Sequence, residues 1–121
     1  MTMQYLDFDS SEDAHGHGSF EAMASVPAAR LAALQAEIAL VLDWAYANFP
    51  GQRAPLEEGG EWDYLLEAQQ DWSVPQDLAY DETQCRFSSR PGEPGPARHT
   101  LTLALSGSPQ FCKAFRLKFE F

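Results

Sequence analysis

From Ser25 to Asn48 the apolar residues Leu31, Leu34, Ile38, Val41, Leu42, Ala45 and Phe49 recur three or four positions apart. That spacing puts them on one stripe of an α-helix of about six turns, which must be covered by something else. Ser25 is placed to cap this helix and Pro27 suits its first turn. Asn48, Pro50 and Gly51 supply the stop. One long helix with a single apolar stripe needs a sheet or further helices as its partner, and the rest of the chain must provide them.

Strand signals dominate elsewhere. Met3–Asp9 alternates and predicts a first strand, the polar run Ser10–Ser19 a turn, and Ser19–Ser25 the returning arm of a hairpin. Gln52–Gly60 has the composition of a loop. Glu61–Trp72 fits a period of two through Trp62, Tyr64, Leu66, Ala68 and Trp72, although its Leu, Glu, Ala and Gln content favours a helix. We assign a strand, because the strands that follow need neighbours. Thr83–Ser88 predicts a short strand with Cys85 and Phe87 on its inner side. The Pro- and Gly-rich run Ser89–Arg98 predicts a loop, and His99–Ser106 a strand with Leu101, Leu103 and Leu105 facing in. A wide hairpin between these two strands is expected. Ser108-Pro109 opens a last helix, with Phe111, Phe115 and Phe119 stacked along it and Lys113, Arg116 and Lys118 toward the end where cations complement the dipole. The fold class expected is α+β over residues 1–121 as one domain. It is an antiparallel β-sheet of about four to five strands, with the long helix and the C-terminal helix packed on one face.

The net charge of −10 is unevenly placed. Residues 1–82 hold 16 acids and two bases, whereas residues 83–121 hold two acids and six bases. Such a field disfavours nucleic acid and anionic lipid and would steer a basic protein partner toward the first two thirds. Met1–Asp9 has neither the basic residue nor the apolar run of a secretory signal. The most apolar stretch, Ala32–Ala47, is broken by Gln35, Glu37 and Asp43, so no membrane span is expected. Cys85 and Cys112 are too few for a disulfide scaffold and both fall at apolar-periodic positions. Reduced thiols and a cytoplasmic location are the expectation.

Three clusters carry possible chemistry. Asp7, Asp9, Glu12, Asp13, His15 and His17 offer carboxylates and imidazoles that could hold a divalent metal. Counted from Asp7, however, the calcium-loop pattern fails, with Glu12 where glycine is required and Gly18 where glutamate is required. Nucleophilic catalysis has little support. Gly107-Ser108-Pro109 lacks the second glycine of a nucleophile elbow, and Cys112 shares a face with Phe111 and Phe115. Glu57, Glu58, Glu61 and Asp63 have no visible difference in environment to set acid and base apart, and Arg86, Arg90 and Arg98 lack a glycine-rich anion cradle.

The strongest candidate is the aromatic and acidic stretch Glu61, Trp62, Asp63, Tyr64, Asp71 and Trp72, since aromatics ringed by acids can anchor a basic protein surface. The function expected is therefore a non-enzymatic interaction module of inhibitor, immunity or adaptor type, with no cofactor. The alternative is a small-ligand or divalent-metal-binding domain built on the N-terminal Asp/His cluster. Homodimerisation through an exposed edge strand or the Phe-rich last helix is a third possibility.

Overall fold

The computed structural model describes residues 3–120. Its order is β1 (Asp9–Glu12), β2 (Gly18–Pro27), α1 (Ala28–Asn48), a 3-10 turn (Leu56–Glu58), β3 (Trp62–Asp71), β4 (Gln76–Asp81), β5 (Arg86–Pro91), β6 (Arg98–Gly107) and α2 (Pro109–Phe119). The main sheet is antiparallel with strand order β1-β2-β6-β3, and β4 pairs with β5 in a separate two-stranded ribbon. The expected α+β class holds, with one strand more than the sequence suggested.

β6 is the central strand because its alternation satisfies both neighbours. In register, Phe20, Leu105 and Tyr64 form one cross-strand row, Ala22, Leu103 and Leu66 the next, and Ala24, Leu101 and Ala68 a third. Helix α1 covers this face with Leu34, Ile38, Val41 and Ala45. Helix α2 adds Phe111, Cys112, Phe115 and Phe119, and Trp44 of α1 meets three of those rings edge-on or tilted. The opposite face carries Glu21, Ala104 and Leu65, then Met23, Thr102 and Glu67, and no helix covers it.

A glycine notch seats α2. Gly18, Gly107 and Trp62 share the end row of the sheet. A Cβ on Gly107 would lie 2.2 Å from the Phe111 ring, and one on Gly18 would lie 2.8 Å from the Cys112 sulfur. Small residues here let the first turn of the helix sit directly on the sheet, where Phe111 stacks on Trp62 at 5.8 Å. Ser108 caps that turn by accepting from the Phe111 N–H, and its own hydroxyl donates to Glu61.

Several local expectations are corrected. Met3–Phe8 is not a strand: it crosses α1 with Leu6 and Phe8 buried, and the first strand begins at Asp9, the last residue of the expected strand, and runs to Glu12 inside the run expected to be a turn. The N–H groups of Gln4, Tyr5 and Leu6 donate to the Glu37 carboxylate at 3.1, 2.9 and 2.8 Å, so a side chain does the work of a neighbouring strand. Ser25 does not cap α1. It lies within β2, which passes into the helix at Pro27 with no side-chain cap. Cys85 is exposed in a turn at φ 54° instead of lying on the inner side of a strand. The run Ser89–Arg98 begins as the second half of β5, and β4 was missed.

The wide hairpin expected between Thr83–Ser88 and His99–Ser106 is not formed, because β5 pairs with β4 while β6 pairs with β2 and β3. β3 and β6 pair along their whole lengths from Trp62 opposite Gly107 to Asp71 opposite Arg98. The two chains then stay together, with the Gly95 N–H donating to Ser73 and the Gly92 N–H to Pro75, before pairing again as β4 and β5. Trp62–Gly107 is thus one long hairpin whose inner half belongs to the sheet and whose outer half leaves it.

Candidate functional site

The six residues expected to form an interaction face are set by β3, which alternates sides along roughly 3.3 Å per residue. Trp62 and Trp72 therefore stand roughly 33 Å apart at opposite ends of the strand. Their environments differ completely. Trp62 is 0% exposed and donates its indole N–H to the Phe49 carbonyl at 3.3 Å, whereas Trp72 is 59% exposed. Trp62 is a core residue, and Trp72 is a surface one.

The acids between them are divided in the same way. Glu61 is held by the Ser108 hydroxyl. Asp63 accepts from Arg53 Nε at 2.9 Å, and the same guanidinium lies over the Tyr64 ring at 4.5 Å. The Tyr64 hydroxyl titrates above its ordinary range, chiefly through the Tyr46 hydroxyl beside it. Asp71 accepts from Gln69 at 3.0 Å at the far end of the strand. Glu61, Trp62, Asp63 and Tyr64 thus belong to a packed strand end, and only Asp71 and Trp72 remain at an open surface.

The N-terminal cluster is dispersed. Asp7 precedes β1, and Asp9 lies directly opposite Glu21 on β2. Asp13 closes the β1–β2 turn: its Oδ1 accepts from the His15 N–H at 2.8 Å and the His17 N–H at 3.0 Å. These bonds, the His15 one first, hold its carboxyl below the usual range. His17 Nδ1 stands 3.5 Å from the same carboxylate. Among the described residues no three His, Cys, Asp or Glu side chains come together as metal ligands. Cys112 is buried against Gly18, and that burial pushes its thiol up.

The surface that the sequence did not reveal is the outer half of the long hairpin. Residues 65–94 contain no buried residue. In β4 and β5, Leu78, Tyr80 and Phe87 point to one side, with the two rings 5.1 Å apart. Asp77 opposite Arg90 and Asp81 opposite Arg86 point to the other. The ribbon is amphipathic, yet nothing covers its apolar side. At the tip, the Asp81 carboxylate accepts from the Thr83 and Gln84 N–H groups and fixes the turn. The available signal was the alternation of Leu78 and Tyr80 with Asp77 and Asp81, just after Pro75.

The charge asymmetry of the sequence is partly folded together. Arg116 pairs with Glu12 at 3.2 Å, and Arg86 and Arg90 of β5 lie opposite Asp81 and Asp77 of β4.

No helix of the described residues is long and apolar enough to cross a membrane. No family model, curated protein or solved structure matches the chain.

Proposed function

We propose that this chain is a non-enzymatic protein-interaction module of inhibitor, immunity or adaptor kind, which docks a basic protein through the outer half of β3 and the β4–β5 arm. One observation carries the reading. The run 65–94 is exposed throughout, yet it holds Leu65, Leu66, Trp72, Val74, Leu78, Tyr80 and Phe87 in the open. Large apolar side chains exposed at this density mark contact sites, and Trp and Tyr are favoured anchors. The same run carries six acids against two bases, so its rim complements a basic partner. The original site moves accordingly, from the Trp62 end of β3 to Asp71, Trp72 and the arm. A cytoplasmic setting fits two unpaired thiols, one exposed and one buried.

The test is affinity capture from the native cell with the wild-type chain and with Trp72→Ala and Leu78→Ser. A basic protein retained by the wild type, released between 50 and 300 mM salt and reduced with both variants supports the reading. Capture indifferent to both substitutions, or none at low salt, overturns it.

A further inference from the structure

The outer edge of β3 is open, and its composition says what would close it. β3 lies at the edge of the four-stranded sheet. At its start that edge is used: the Trp62 carbonyl accepts from the Ala54 N–H at 3.1 Å, next to the bridge with Arg53. Backbone groups alternate along a strand, so Tyr64, Leu66, Ala68 and Gln70 turn theirs the same way as Trp62. The Tyr64 N–H is taken by the Asp63 carboxylate at 2.9 Å. Leu66, Ala68 and Gln70 have no hydrogen bond on that side among the described residues. This is a template for one more strand.

The two flanks differ. On the uncovered side of the sheet runs the row Asp63, Glu67 and Asp71. Asp63 is neutralised by Arg53, and Arg98 opposite Asp71 turns its guanidinium to Ser25, leaving Glu67 and Asp71 to set the charge. On the helix side, Ala68, Gln69 and Gln70 border a shallow groove with Leu31 and Gln35 of α1 and His99 and Leu101 of β6, apolar at Leu31, Ala68 and Leu101; Leu66, 42% exposed, lies on the same side of the strand. A strand added here presents alternate residues to the acids Glu67 and Asp71 on one side and to a groove with an apolar floor of Leu31, Ala68 and Leu101 on the other. A second copy of β3 is a poor occupant, because it would bring carboxylate rows opposite or diagonal to each other in any register, which is destabilising.

We infer that the free edge of β3 binds an extended segment of a partner that alternates basic and apolar residues, adding it as a fifth strand of the main sheet. This rests on the reading of the chain as a module for a basic partner and specifies how part of that partner is held. Main-chain bonds to Leu66, Ala68 and Gln70 supply affinity, and the Glu67–Asp71 row and the groove select the sequence.

The probe is an acetylated, amidated heptapeptide of alternating lysine and valine, titrated into the ¹⁵N-labelled full chain. The control is the same peptide N-methylated at alternate residues, which keeps its charge and loses its strand-pairing donors. The expected result is saturable shifts of the Leu66, Ala68 and Gln70 amides with the first peptide only. Ala68→Pro removes an outward N–H that the fold does not use, so the strand tolerates it at an edge, and affinity should fall about fivefold or more. Glu67→Gln, fully outside the core, should weaken binding about threefold. Equal shifts with both peptides, shifts confined to other acidic surface, or none would overturn the inference. If the peptide fails while capture still depends on Trp72 and Leu78, the strand-addition inference alone falls. If capture fails as well, the interaction reading falls with it.

Discussion

Replacing Glu37 with alanine removes a carboxylate acceptor that holds the N-terminal segment against α1. Its carboxylate takes three backbone N–H groups, two at Oε1 and one at Oε2, across more than thirty residues of sequence. Hydrogen bonds to a charged group contribute about 1.5–3 kcal/mol each when shielded. Here one is exposed and two are half-buried, so about 2 kcal/mol for the set is the reasonable magnitude. A larger loss follows if the segment leaves entirely, because burying Leu6 and Phe8 stabilises by about 1.5–3 kcal/mol apiece. Amide hydrogen exchange at Leu6 separates the two cases. A cost of about 2 kcal/mol speeds its exchange by about thirtyfold, while Leu103 at the sheet centre changes only as far as global stability does. Urea unfolding followed by tryptophan fluorescence should show a midpoint lowered by about 1 M. Glu37→Gln keeps an oxygen for Tyr5 and Leu6 and should cost about half as much. If Leu6 exchanges within threefold of wild type in the alanine variant, the clamp contributes nothing and the reasoning is wrong.

Other outcomes follow from the packing. Gly107→Ala forces a methyl into the Phe111 ring and should destabilise the protein by about 1–3 kcal/mol in chemical denaturation. Trp62→Ala should cost about 3–5 kcal/mol, whereas Trp72→Ala should stay within about 0.5 kcal/mol of wild type; equal losses would show that the two ends of β3 were wrongly distinguished. A thiol-specific reagent near neutral pH should modify Cys85 at once and Cys112 only on unfolding, because burial raises the Cys112 pKa and keeps it protonated. The Asp13 carboxyl is depressed, chiefly by the His15 N–H and then by the His17 N–H, so its contribution is full above the ordinary carboxylate range and is lost as pH falls on to its lowered folded-state value. The protection factor of the His17 amide, taken against the intrinsic exchange rate at each pH, should therefore fall on acidification in the wild type and lose that pH dependence in Asp13→Asn.

The parts legible in the sequence are those where periodicity and burial coincide. Leu101, Leu103 and Leu105 alternate because β6 has a core on one side, and Phe111, Phe115 and Phe119 recur because α2 lies on that core. β3 goes against its helical composition, and the need of the two following strands for neighbours gives the right element: β6 does pair with it, whereas β5 pairs with β4. Elsewhere the rule gave the wrong inference. Phe87 alternates with Arg86 and Ser88, yet in a ribbon detached from the core alternation sorts apolar from charged without burying either. Leu6 and Phe8 are buried without a strand, and the N–H groups of Gln4, Tyr5 and Leu6 are satisfied by Glu37, a residue no local pattern connects to them. Trp62 and Trp72 look equivalent in sequence, and only the length of β3 shows that one ends at α2 and the other in solvent.

The long hairpin makes the molecule separable. Asp71 and Arg98 face each other on the last rung before the arm, and nothing between them is buried. Excising residues 72–97 and joining the strands through an Asn-Gly turn would close the hairpin in a form its twist accepts. The shortened chain should keep the cooperative unfolding of the parent. The buried packing thus lies wholly outside residues 72–97. Substitutions within the arm should leave the stability of the sheet and its two helices unchanged, so the arm can vary in sequence at no cost to the fold that carries it.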